Sequence, residues 1–216
     1  MRPRTVESAV STVRQLLKFA AEDDVIVNVP SVGRRLRCPV RVKYVPPVEH
    51  IGRIYTVCGI AEWRSWNWWK RFIVLAYTTG LRLSDLLRLD MEHVTDESIT
   101  ITAKKTQKVQ VLPLLPCAKR ALAPICYAGG GRLLRCPKSP GLIRRELARF
   151  CEVAKVPTIT PHAIRRCAAN AYEAARPGAG ALLLGHSLEG ATANYIQVPP
   201  IMREAAERLE IPHQFD

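Results

Sequence analysis

Four polar residues in one stretch have the types and spacing to act on a phosphate together. Residues 160–195 read TPHAIRRCAANAYEAARPGAGALLLGHSLEGATANY and contain His162, Arg165, His186 and Tyr195. His162 and Arg165 stand three apart, a spacing that puts two side chains on one helical face. Thr160 suits a helix N-cap, and Pro161 suits the first helical position, where its missing N–H costs nothing. The pair then lies in a first turn, where free N–H groups and the helix dipole favour an anion. An imidazole, a guanidinium and a helix start aimed together fit a phosphate, and the Tyr195 phenol is a nucleophile that can attack one. Each feature alone has a plainer explanation. HxxR recurs on solvated helices, Gly185 in LLLGH can cap a helix end, and a single tyrosine is more often packing. Order and spacing together favour the chemical reading.

Composition narrows the substrate. The 216 residues carry 32 Lys and Arg against 19 Asp and Glu, a net charge of +13 spread along the chain. That excess points to a polyanion, with nucleic acid ahead of an anionic membrane surface. Hydrophobic residues make up 48% of the chain, ample for a core. No apolar run is long enough to span a bilayer, and MRPRTVESAV has no apolar segment of a secretory signal. The expectation is a cytoplasmic protein, in a nucleoid or a host cytoplasm, neither secreted nor held in a membrane. The seven cysteines form no CxxC and match no zinc spacing, so they read as buried or incidental thiols.

The elements that must position the four residues can be taken in order. Residues 5–21 form an amphipathic helix with Val6, Val10, Val13, Leu17 and Ala20 on one side. Residues 30–47 are rich in proline and basic residues, a linker in which Arg34, Arg35 and Arg37 can track a DNA backbone. A lone amphipathic helix cannot bury its stripe, so the chain is expected to begin inside a domain. Helices are expected over 48–60 and 61–79, the second with Trp66, Trp69, Ile73 and Ala76 on a core face. Gly80 ends that helix and Ser84 caps the next, which leaves Arg82 in a tight corner, pre-organised for a phosphate and near Asp85. SITITA and VQVLPL alternate as two strands of a hairpin whose tip carries Lys104, Lys105 and Lys108. Helices follow over 116–127, 140–155 and 200–210, and the GGG at 129–131 lacks the lysine of a phosphate-binding P-loop.

TTGLRLSDLLRLD, KTQKVQVLPL, TPHAIRRCAAN and LLGHSLEGATANY, in that order, resemble the tyrosine recombinase or phage integrase family. The resemblance runs from about residue 48 to 205 and meets six separated positions at once. It implies a mainly α-helical catalytic domain with a small antiparallel β-hairpin or sheet over 46–216. Residues 1–45 would be the remnant of a helical core-binding domain plus the basic linker. By resemblance Arg82, Lys105, His162, Arg165, His186 and Tyr195 are catalytic and Asp85 supports the first arginine. Lys105 is preferred over its neighbours because Pro113 lies the family's distance beyond it. Lys104, Lys108, Arg34, Arg35, Arg37 and Arg166 are further candidates for contact with DNA.

The implied activity is metal- and ATP-independent site-specific recombination of double-stranded DNA through a 3′-phosphotyrosyl intermediate, with no cofactor. The implied assembly is a tetramer on two duplexes from protomers that are monomers when free, with the last helix reaching the next protomer. Two alternatives stay open: DNA relaxation of the type IB topoisomerase kind, and a non-catalytic DNA-binding protein on the same scaffold.

Overall fold

The computed structural model describes residues 3–32, 42–59, 66–127, 131–135, 139–185 and 197–215. The chain divides into two compact units, Met1–Lys43 and Tyr44–Asp216. In the first, helix α1 (Pro3–Glu22) covers the expected amphipathic segment. The following chain folds back on it, where Arg14 donates through Nε and Nη2 to the Val32 carbonyl at 3.1 and 2.8 Å. Arg34, Arg35 and Arg37 lie outside the described residues.

The second unit is built on one buried helix. Helix α3 (Trp66–Thr79) packs against α2 (Val48–Gly59), α5 (Pro116–Tyr127) and α7 (Pro161–Ala175). Trp69, Phe72, Ile73, Leu75 and Tyr77 of α3 are wholly buried. Trp69 meets Phe150 of α6 (Pro140–Val153) edge-on at 4.9 Å, and its Nε1 donates to Glu146 at 3.0 Å. The tryptophans with described side chains, Trp68 and Trp69, are therefore core residues, as their helical spacing implies. Four described cysteines, Cys58, Cys117, Cys151 and Cys167, are free and buried. Burial pushes the thiols of Cys58, Cys151 and Cys167 up, the last to about 12, which keeps them protonated and unreactive.

The only sheet among the described residues is the hairpin of β1 (Ser98–Thr102) and β2 (Val109–Pro113). It is antiparallel, with Thr102 opposite Val109 and Ser98 opposite Pro113. Ile99 and Ile101 point inward and Thr100 and Thr102 outward, the period-two pattern expected of a half-covered strand. In β2, Gln110 to Pro113 are all buried, because α9 (Pro200–Arg208) covers that strand. The apolar residues Met202 and Ala205 of α9 are thus buried within the chain itself. The tail after α9 crosses α2 and α3, where Tyr77 donates to the Glu210 carbonyl at 2.5 Å and Phe215 packs on Tyr55 at 4.9 Å.

One local expectation is overturned. Ser84 is not a cap: α4 (Leu83–Leu86) is one short turn whose N-cap is Arg82, in extended conformation without a side-chain bond. The Arg82 carbonyl already accepts from Asp85 and Leu86, so the helix starts before Ser84 can cap it. Between α7 and the Gly-His pair lies a short helix, α8 (Ala179–Leu183). Glu173, near the end of α7, fills its empty N–H positions by accepting from Gly178 at 2.9 Å and Gly180 at 3.0 Å.

Gly80 ends α3 at φ +55, as its place in the sequence implies, and a Cβ there would stand 2.6 Å from Cδ2 of Leu183. Leu183 is wholly buried and has no room to move aside. Gly80→Ala is expected to cost about 1–2 kcal/mol for the left-handed backbone and about 1–3 kcal/mol for overpacking. Urea unfolding checks this, and a loss below about 1 kcal/mol contradicts it.

Candidate active site

The site begins where α3 ends. The last carbonyls of a helix have no partner within it, and α7 supplies two donors for this end. Tyr172 donates its hydroxyl to the Thr78 carbonyl at 2.9 Å. Arg165 donates from Nη1 to the Gly80 carbonyl and from Nη2, at 2.9 Å, to the Leu184 carbonyl. One guanidinium, 4% exposed, therefore joins the ends of α3 and α8. Burial and the nearby Arg82 cation push its pKa down to about 10, which leaves it charged at neutral pH, while Asp85 opposes the shift.

Helix α7 is aimed by its first turn. Thr160 accepts from the Ala163 N–H at 3.2 Å and Pro161 occupies the first position. The small residues Ala163, Ala168 and Ala171 are buried and let neighbouring elements close on the helix. His162 is exposed at this helix start and Arg165 turns inward.

A cleft of about 700 Å³ opens at that start. Arg82, Lys105, His162 and Arg165 all line it, together with Thr160 and Pro161. Residues far apart in the chain thus converge from the α3–α4 corner, the hairpin tip and α7. Arg144 of α6, which the sequence reading did not single out, also lines the cleft. No acidic side chain is among the described residues that line it. Arg82, Lys105 and Arg144 make no hydrogen bond or ion pair with a described residue. The only sequence signal for Arg144 was its place in a basic helix, four residues after Pro140 on the same face.

The other candidates are placed as follows. Asp85 is wholly buried, and its Oδ1 accepts from the Lys104 N–H at 3.0 Å and from Arg88 at 3.3 Å. Lys104 and Lys108 are exposed on the hairpin loop but do not line the cleft. Arg166 donates to the Tyr44 carbonyl at 2.6 Å, so it anchors the chain entering α2. His186 and Tyr195 lie outside the described residues. Gly185, immediately before His186, has φ +73, the conformation of a glycine that ends a helix. Gln110 of β2 donates to the Leu183 carbonyl at 3.2 Å, so the end of α8 is held by both Gln110 and Arg165.

Known structures share this arrangement of elements. The chain is 19% identical to residues 75–356 of lambda integrase, seen as a dimer bound to a COC′ core site, with a TM-score of 0.70 over 91% of this chain and 77% of that one. The lambda integrase catalytic core matches over its whole length and 72% of this chain, at 20% identity and a TM-score of 0.57. XerA recombinase matches at 15% identity and a TM-score of 0.56, covering 87% of this chain and 75% of that one. No family model and no curated protein matches the sequence. The likeness defines the class: the chain has the fold of a tyrosine recombinase catalytic domain.

Arg165→Lys tests the junction. An ammonium on a flexible stem cannot replace a planar fork that serves two carbonyls. A buried carbonyl left without its donor costs about 1–3 kcal/mol. Chemical denaturation is expected to show a loss of that size despite the retained charge. Unchanged stability contradicts the junction role.

Proposed function

We propose that this protein cleaves and rejoins double-stranded DNA by site-specific recombination through a 3′-phosphotyrosyl intermediate on Tyr195. The observation that carries the reading is the cleft. Four separated residues with complementary chemistry line one concavity, and among the described residues that line it there is no carboxylate to repel a phosphate. The net charge of +13 suits the polyanion.

The chemistry balances without an outside energy source. The Tyr195 oxygen attacks the scissile phosphorus as His162 accepts the phenol proton, whose unperturbed pKa of about 10 otherwise keeps it bound. The new O–P bond forms as the bond to the 5′-oxygen breaks, and the Lys105 ammonium delivers a proton to that leaving oxygen. Arg82 and Arg165 stabilise the charge on the non-bridging oxygens, with a further hydrogen bond from His186. Attack by a 5′-hydroxyl of another strand reverses the steps and restores the tyrosine. Two arginines and a lysine supply the charge stabilisation that a metal would otherwise give.

Arg165 has a double task in this reading. Its bonds to Gly80 and Leu184 hold it in place, and its remaining N–H groups face the phosphate. Arg82 and Arg144 have no hydrogen-bond or ion-pair partner among the described residues, which leaves Arg82 for the scissile phosphate and Arg144 for a neighbouring one. The proposed partner is duplex DNA, with protomers assembling on it. Lambda integrase has been seen as a dimer on a core site and as a tetramer on a Holliday junction.

The test uses duplexes nicked near the cleavage position, which trap the intermediate. Wild type is expected to give a slow-migrating covalent adduct on a denaturing gel, while Tyr195→Phe gives none yet shifts the same DNA in a native gel. An adduct that survives in Tyr195→Phe contradicts the nucleophile, and absence of DNA binding by either protein contradicts the function. Exchange of strands between two duplexes separates recombination from simple relaxation.

Arg144→Gln is expected to weaken binding uniformly across DNA sequences and to lower the slope of log K against log salt by about 1. A titration at several salt concentrations measures it. An unchanged slope removes Arg144 from the interface.

A further inference from the structure

Helix α4 and the hairpin are joined by a polar network that the steps above leave unused. Asp85 sits three residues after Arg82 and is wholly buried. Its Oδ1 accepts from the backbone N–H of Lys104 at 3.0 Å and from Nη2 of Arg88 at 3.3 Å. The same Nη2 of Arg88 donates to the Thr102 carbonyl, the last of β1, at 2.8 Å. One guanidinium nitrogen therefore bridges the buried carboxylate of α4 and the end of the strand that leads into the loop.

These contacts fall at the point where Lys105 leaves the sheet. Thr102 and Lys104 are anchored, and Lys105 is the next residue. The loop closes on itself through the Ala103 N–H to Lys108 carbonyl bond at 2.9 Å and the Gln107 N–H to Ala103 carbonyl bond at 2.8 Å. Residues 104–108 are exposed, and no hydrogen bond or ion pair with a described residue holds the Lys105 side chain. A long side chain on such a loop has its position set only by its backbone origin. That origin is tied, through Asp85, to the short helix that begins at Arg82. Asp85 also faces a second cation, Arg165, whose charge it favours. Its Oδ2 has no hydrogen-bond partner among the described residues.

We propose that Arg88, acting through Asp85 and the Thr102 carbonyl, is a positioning residue that sets Lys105 in register with Arg82 across the cleft. The proposal rests on the reading of Lys105 as the general acid. Arg88 is not among the residues that line the cleft. Its side chain is 44% exposed, so its removal leaves the hydrophobic core intact.

The leaving group provides the test. A sulfur in place of the 5′-bridging oxygen departs without a proton, so it no longer needs a general acid. Adduct formation is measured in single turnover at saturating nicked duplex, with oxygen or sulfur at that position. The proteins are wild type, Arg88→Met, Arg88→Lys and Lys105→Ala. Arg88→Met is expected to slow cleavage of the oxygen substrate about 10- to 100-fold, within the usual range for lost acid catalysis, and to match wild type on the sulfur substrate. Arg88→Lys, which keeps a charge for Asp85 but loses the bridge, is expected between the two. DNA affinity in a native gel is expected to be unchanged in both.

Equal slowing of Arg88→Met on both substrates overturns the proposal, since that is the mark of a general structural defect. So does a wild-type rate on the oxygen substrate. If Lys105→Ala is rescued by sulfur and Arg88→Met is not, this proposal alone fails. If Lys105→Ala is slow on both, the general-acid reading fails and this proposal with it.

Discussion

One guanidinium holds the cleft end of the second unit together. Arg165 reaches from α7 to the carbonyl that closes α3 and to the carbonyl that follows α8. Both carbonyls belong to helix ends, which have unmet acceptors by construction of the α-helix. Meeting them from one rigid fork fixes three helices at one point. Gly80 makes the approach possible, since a side chain there would collide with Leu183. Two of the residues that line the cleft, Arg82 and His162, stand beside this junction in the chain. Arg82 follows Gly80 by two residues, His162 precedes Arg165 by three, and the chain leaving Gly185 goes on to His186.

The basic residues divide into two groups with different physical tasks. Arg71, Arg165 and Arg166 donate to backbone carbonyls and serve the fold. Arg82, Lys105 and Arg144 line the cleft with no hydrogen-bond or ion-pair partner among the described residues. Like charges held close together repel: burial lowers the pKa of Arg165 most, and the nearby Arg82 cation lowers it further. A cleft built this way gains most when an anion enters, because one phosphate relieves several unfavourable pairs at once. Asp85 moderates the cost from behind, buried beneath the cleft and not exposed in it.

Local signals made much of this legible in the sequence. The Thr160 cap and Pro161 locate the start of α7, Gly80 and Gly185 mark helix ends, and alternation in SITITA marks the hairpin. Each depends on residues within a few positions of one another. The same holds for the core face of α3, where helical spacing separates packing tryptophans from a stacking platform. What escaped depends on distant partners. Helix α8 is short and Gly-rich, and it forms because Glu173 caps it while Gln110 and Arg165 hold its end. Arg144 and Arg88 look like ordinary surface cations until α6 and the hairpin are brought against the α3–α4 corner. Ser84 has the right residue type for a cap, but the turn at Gly80 and the Arg82 carbonyl start the helix earlier.

In the proposed reaction the cleft cations that have no partner among the described residues balance the charge of a scissile phosphate. Arg82 tests it best, because no fold-holding bond to a described residue is lost with its side chain. The measurement is single-turnover cleavage by wild type and Arg82→Met on two duplexes, one with a normal scissile phosphate and one with a neutral methylphosphonate there. Arg82→Met is expected to be slow by about 100-fold or more on the phosphate, the scale of a lost charge-stabilising donor, and close to wild type on the methylphosphonate. An equal defect on both substrates would contradict it, since Arg82 would then be doing something other than neutralising that charge.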